Sequence, residues 1–104
     1  MSEPIIVFWT CAGIDEARHV ARTLVKAKLV ACANIIPQVE SIFEWEGNFD
    51  VSQESKVLFK TTLERFEAVK ARILELCSYD VPEISYVIVD GGHQPYFEWV
   101  RTGG

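Results

Sequence analysis

Residues 29–62 read LVACANIIPQVESIFEWEGNFDVSQESKVLFKTT, and this stretch decides the fold. Val30 to Ile36 is a run of small and β-branched residues stopped at Pro37, and Val39, Ile42, Phe43 and Trp45 resume it. Proline removes a ladder donor, so the pattern predicts a strand interrupted or bulged at Pro37. Glu46-Gly47-Asn48 has turn chemistry, with Gly47 free to take a positive φ, and Glu54 to Thr61 returns as a strand through Val57, Leu58 and Phe59. The product is a long hairpin. Five acids lie between Leu29 and Ser55, namely Glu40, Glu44, Glu46, Asp50 and Glu54, with no Lys or Arg, so the arm is locally acidic.

Upstream, Ile5 to Cys11 is a short apolar run between Pro4 and Gly13, the pattern of a strand buried on both faces. Asp15-Glu16 supplies an N-cap and a first-turn acid. Ala17, Val20, Ala21, Leu24 and Val25 follow at helical spacing, with Arg18, Arg22 and Lys26 on the other side, and the helix is predicted to reach about Lys28. Downstream, Thr61 and Glu64 have the capping-box form, and Leu63, Phe66, Val69, Ile73 and Leu76 predict a second helix. Tyr79 to Pro82 is a connector, Ile84 to Val89 a last strand, and Tyr96 to Arg101 a short helical tail. The order is βαββαβ. Right-handed crossovers then place two helices on one face of a four-stranded antiparallel sheet, an α+β, ferredoxin-like arrangement with an extended hairpin between the second and third strands and a short C-terminal helix. Trp9, Phe43, Trp45, Phe59, Tyr86 and Trp99 exceed what one helix layer absorbs, so a homo-oligomer is expected to cover the other face.

A chain of 104 residues is the size of one domain, taken as 1–104. Its formal charge of −5 is opposite to the footprint a phosphate backbone requires, which argues against nucleic acid. The opening Met-Ser-Glu-Pro lacks a basic leader, and apolar runs such as Ile5 to Trp9 reach only five residues, so no membrane partner and a cytoplasmic location are expected. Cys11, Cys32 and Cys77 are odd in number with no CxxC, which reads as reduced thiols.

Five segments resemble the CutA family of divalent-cation tolerance proteins: Lys28 to Pro37, Trp45-Glu46-Gly47, Leu58 to Thr62, Tyr79-Asp80-Val81-Pro82-Glu83 and Tyr96 to Val100. They occur in the same order along nearly the whole chain. The resemblance implies a ferredoxin-like homotrimer, related in architecture to PII signalling proteins, with a link to copper and other divalent ions and no settled reaction. Two departures bear on chemistry. The loop after the first strand reads Trp9-Thr10-Cys11-Ala12-Gly13 instead of a Thr-Ala-Pro turn, and Cys77-Ser78 stands where many members have His-Pro. A thiolate there favours soft ions such as Cu(I).

The candidate metal ligands are therefore Cys32, Cys77 and Cys11, against the reading of Cys32 as a small buried hydrophobe. His19 is expected to face solvent, and His93 to sit in a loop. Candidate ligand-binding residues are Lys60, Tyr79, Glu83, Glu46 and Trp45. The structural alternative has Tyr79 and Pro82 shaping the connector, Lys60 pairing with a carboxylate at a subunit boundary, and Trp45 packing in an interface. No GxSxG, HExxH, P-loop or GxGxxG occurs, no Arg precedes Arg18 to build an acylphosphatase-like loop, and the RNA-recognition aromatic motif is missing. A non-enzymatic trimer that binds a small ligand, copper or another divalent ion is expected, the alternative being a structural or signalling scaffold that anchors a partner protein.

Overall fold

The computed structural model describes residues 2–104. Its elements run β1 (Pro4–Cys11), α1 (Ile14–Lys26), β2 (Cys32–Trp45), β3 (Asn48–Thr62), a 3-10 turn over Leu63–Arg65, α2 (Phe66–Leu76), β4 (Ile84–Ile88) and α3 (Gln94–Thr102). The strands form one antiparallel sheet in the order β2-β3-β1-β4, the ferredoxin-like arrangement.

Alternation sorts the two faces. Ile5, Val7, Trp9 and Cys11 of β1 share the helix side with Val57 and Phe59 of β3, all fully buried, and meet Val20 and Leu24 of α1 and Val69 and Ile73 of α2. Trp9 and Phe59, expected on the uncovered face, therefore belong to the core, where their rings lie 6.3 Å apart. Phe43, Trp45, Tyr86 and Trp99 remain exposed. The opposite, outer face carries Ile6, Phe8 and Thr10 of β1 against Lys60, Leu58 and Lys56 of β3.

β2 slips at Pro37. Ile36 faces Lys56 and Val39 faces Glu54, so Pro37 and Gln38 together oppose Ser55, a bulge that leaves the proline's missing donor without consequence. The Ser55 hydroxyl donates to the Pro37 carbonyl at 2.7 Å and fixes it. β3 starts at Asn48, six residues before the Glu54 read from sequence, because Phe49 to Gln53 continue the ladder through Trp45↔Asn48. Glu46 and Gly47 close the hairpin with φ of 51° and 83°, the paired left-handed conformation of a type I′ turn. The arm projects past the helices and makes the molecule 45 Å long against 25 and 22 Å.

Three helix boundaries differ from expectation. Gly13, not Asp15, is the N-cap of α1, which places Asp15 and Glu16 in the first turn, where their charge suits the dipole. α1 stops at Lys26 because Lys28 turns left-handed at φ 63° and Leu29 N–H returns to the Leu24 carbonyl. Thr61 does not cap α2. It lies in β3 with its hydroxyl donated to the Leu29 carbonyl at 2.7 Å, and the capping-box pattern fails because the ladder runs on to Thr62. α3 is a full nine-residue helix whose Phe97 and Val100 are buried, held by Arg65 donating to the carbonyls of Val100 and Arg101.

Thr61 ties the entry of β2 to the middle of the sheet from a fully buried position. Thr61→Val keeps the shape and strands the Leu29 carbonyl, so unfolding stability should fall by about 1 kcal/mol or more. Urea denaturation should show a lower midpoint at unchanged slope.

Candidate functional site

Thr10 and Lys56 are directly opposite on β1 and β3, so both project from the outer face at the root of the arm. The connector between α2 and β4 brings Glu83 to them. Its Oε1 accepts from Thr10 Oγ1 at 2.6 Å and from Lys56 Nζ at 3.0 Å, and Oε2 accepts from Ser85 Oγ at 3.3 Å. Lys56 also lies 5.5 Å from the centre of the Phe8 ring. Burial pushes the Glu83 carboxyl up, but the hydrogen bonds from Thr10 and Lys56 outweigh it and hold the group below the usual 4.5.

Next to this triad, Glu54 is 9% exposed, a buried acid on β3, and the Tyr79 hydroxyl donates to its Oε2 at 2.7 Å. Burial first, and then that bond to a carboxylate, raises the Tyr79 phenol well above its usual range, so it stays a donor at any physiological pH. Between the arm and the connector opens a cleft of about 660 Å³. Phe43, Trp45, Val81 and Pro82 give it apolar walls, while Asp50, Glu54, Asp80 and Glu83 supply carboxylates and Ser41, Ser52 and Thr10 hydroxyls.

Three of the five expected ligand residues, Tyr79, Glu83 and Trp45, thus converge on one cleft. Glu46 sits instead at the hairpin turn, and Lys60 lies on the outer face by a crevice of about 80 Å³ with Val89, Tyr96 and Val100. Within the described residues Lys60 meets no carboxylate, whereas Lys56, on the same face of β3, meets Glu83. Thr10, Glu54 and Lys56 went unrecognised in the sequence, although the β1–β3 alternation places Thr10 and Lys56 on one face.

The thiols divide. Cys11 is buried beside α1 with its Sγ donating to the Gly13 carbonyl, and Cys77 caps α2 with its Sγ donating to the Tyr79 carbonyl. Both thiols are raised above their usual 9.0 by burial, Cys11 to about 11. Cys32 is half-buried and faces Lys60, whereas Cys11 faces Ser55. Five residues of β3, about 17 Å, separate those positions. Among the described residues no three His, Cys, Asp or Glu side chains converge to hold an ion within one protomer. His19 is exposed on α1, and His93 is the N-cap of α3.

The sequence profile of the CutA1 divalent ion tolerance protein family matches residues 5–103. The divalent-cation tolerance protein CutA of Thermus thermophilus is 38% identical over 96 residues, covering 92% of this chain and 93% of that protein. Protein CutA of Homo sapiens is 35% identical over 94 residues, covering 90% of this chain and 52% of that protein. The chain spans about half the length of that human relative and of the chloroplastic Arabidopsis thaliana CutA, which is 33% identical. Among solved structures, CutA1 from Oryza sativa superposes with a TM-score of 0.95 at 29% identity, covering 98% of this chain and 94% of that one. The Thermus thermophilus protein does so at 0.93 and 36% identity, over 96% and 97% of the two chains.

The lowered Glu83 value fixes the sign of a pH effect. A carboxyl depressed in the folded state adds stability above its ordinary value, and this is lost as pH falls through the folded one. NMR titration should place the Glu83 midpoint below 4.5, and Lys56→Met should move it upward. An unmoved midpoint would remove Lys56 from the network.

Proposed function

Because this chain belongs to the CutA1 divalent ion tolerance family, we propose that it is a non-catalytic divalent-cation tolerance protein that works as a homotrimer and holds its ion or small ligand in the cleft between arm and connector. The observation that carries this reading is that Asp50, Glu54, Asp80 and Glu83 all line that cleft, with Lys56 paired to Glu83 at its edge. Carboxylates and hydroxyls are hard donors suited to oxygen-seeking divalent ions. Since no ligand triad closes among the described residues of one protomer, the remaining donors are assigned to a second protomer or to water.

The exposed outer face supports the trimer. Val87 on β4 and Ile36 on β2 are exposed on that face, and among the described residues the outer edges of these two strands are unpaired. Three free cysteines support a reducing compartment such as the cytoplasm, and among the described residues no helix is long and apolar enough to cross a membrane.

Copper held by thiolate is the second form of the same function. It requires Cys11 or Cys77 to lose a proton that burial retains, so Cu(I) affinity through Cys11 should climb as pH rises toward about 11, and through Cys77 as pH rises past the ordinary thiol value.

Calorimetric titration with Mn²⁺ tests the cleft. Asp50→Asn combined with Glu54→Gln should weaken binding at least about tenfold, about 1.4 kcal/mol, while Cys11→Ser and Cys77→Ser leave it unchanged. Equal affinity in all variants would overturn the assignment. Sedimentation tests the assembly: the wild type should run as a trimer, and Trp45→Ala, which removes a 54% exposed aromatic from the arm, should weaken it by about 2 kcal/mol.

A further inference from the structure

Ten Lys and Arg are present, and most are committed. Lys56, Lys70, Arg72 and Arg101 hold carboxylates, and Arg65 and Lys28 hold backbone carbonyls. Among the described residues Arg18, Arg22, Lys26 and Lys60 hold neither. Three of these four stand in one column on the solvent side of α1, at steps of four residues, so their charges are about 6 Å apart and span about 12 Å. They border a shallow trench with His19, Thr23 and one acid, Asp15, which leaves the three cations in excess there. In a chain of net charge −5, this column is a basic surface set against an acidic background.

The complementary surface is on the arm. β3 alternates without a break from Phe59 to Phe49, so Val51 and Phe49 continue the helix-side face beyond the helices, and their partners Ile42 and Glu44 share it, with Glu40 opposite Gln53. Nothing among the described residues covers this face: Phe49 is 72%, Ile42 63% and Val51 50% exposed. Glu40 and Glu44 are about 13 Å apart along the strand, the span of Arg18 to Lys26.

We propose that the basic column of α1 is the docking surface for the helix-side face of another copy's acidic arm. The guanidinium and ammonium heads meet Glu40 and Glu44, and the aliphatic stems of Arg18, Arg22 and Lys26 lie over Ile42 and Val51. The contact joins two different patches, so it is heterologous and propagates from copy to copy. It shares Glu44 with the rim of the cleft but leaves the outer face assigned to the trimer free, and it links one such assembly to the next. Several weak arm contacts made together give it avidity. Within one chain it cannot form, because α1 begins at the root of the arm and runs away from it toward the start of β2.

Salt separates this contact from the trimer, since exposed charge pairs lose range as the Debye length shortens from about 30 Å at 0.01 M to about 3 Å at 1 M. Sedimentation of the wild type should show assemblies larger than the trimer at low salt and the trimer alone at 1 M. Arg18→Glu with Arg22→Glu should raise the concentration for half-association at least about tenfold, and so should Glu40→Lys with Glu44→Lys. Mixing the two double variants restores opposite signs across the contact and should return the midpoint to within about threefold of wild type. Zero-length carbodiimide coupling of a mixture of isotope-labelled and unlabelled chains should give Lys26–Glu44 or Lys26–Glu40 links that carry one chain of each kind. A mass independent of salt overturns the proposal, and a monomer at 1 M salt overturns the trimer instead. If reversing the column weakens association and reversing the arm does not, the column belongs to a different polyanion and the proposal also fails.

Discussion

The unbroken period-two alternation of β3 from Asn48 to Thr62 is the constraint on which the rest of the structure depends. The strand passes from the centre of the sheet into the free arm, so each face changes role along its length while keeping its residues. The helix-side set begins as core at Phe59 and Val57 and ends as bare apolar surface at Val51 and Phe49. The outer set begins at Lys60 and Leu58, supplies Lys56 and Glu54 at the root of the arm, and ends as the cleft wall at Ser52 and Asp50. A one-residue slip in β3 would exchange the two sets and bury Lys56 in the core. The bulge at Pro37 sits in β2, where the extra residue costs the least: Ser55 bonds the displaced carbonyl, and β3 keeps its phase.

That phase organises the electrostatics of the cleft. Glu83 arrives on a connector, yet its partners Thr10 and Lys56 come from paired strands and are held in place by the ladder. Lys56 is further confined between Glu83 and the Phe8 ring. This leaves Glu54, satisfied at one oxygen by Tyr79, and Asp50 and Asp80 as negative charge lining the same space. Rigid strands thus carry the charges, and the connector from Tyr79 to Glu83 supplies the groups that close over them.

The layout of the fold was legible because its signals are local and redundant. Pro37 announces the bulge, Glu46-Gly47 the turn, and the 3.6-residue spacing of Ala17 to Leu24 the first helix. Thr61 shows where local reading stops. Its capping pattern with Glu64 is genuine as sequence, but a buried hydroxyl facing Leu29 across the sheet gains more from that carbonyl than from a helix end. Trp9 and Phe59 were misplaced because counting aromatics ignores phase, whereas alternation assigns each to a face. The same holds at the cleft. Tyr79, Glu83 and Trp45 stand out within motifs, while Lys56 and Glu54 lie in a plain strand and become visible only once the β1–β3 register is known. Lys60 stands within a motif and Lys56 does not, yet four residues along one face separate the lysine paired with Glu83 from one that meets no carboxylate among the described residues.

The thiols illustrate why residue type alone does not set metal chemistry. Replacing an imidazole by Cys77 changes the donor from one that binds as a neutral base to one that must ionise first. Here the surroundings oppose ionisation: burial at the end of α2 raises the Cys77 thiol first, and Glu16, whose carboxylate takes both the backbone N–H and the hydroxyl of Ser78, adds negative charge beside it. Cys11 lies deeper in the same neighbourhood and feels Glu16 and Glu54 as well. Burial, the larger cause, and the neighbouring carboxylates therefore both hold these thiols protonated, and two of those carboxylates, Glu54 beside Cys11 and Asp80 beside Cys77, also line the cleft.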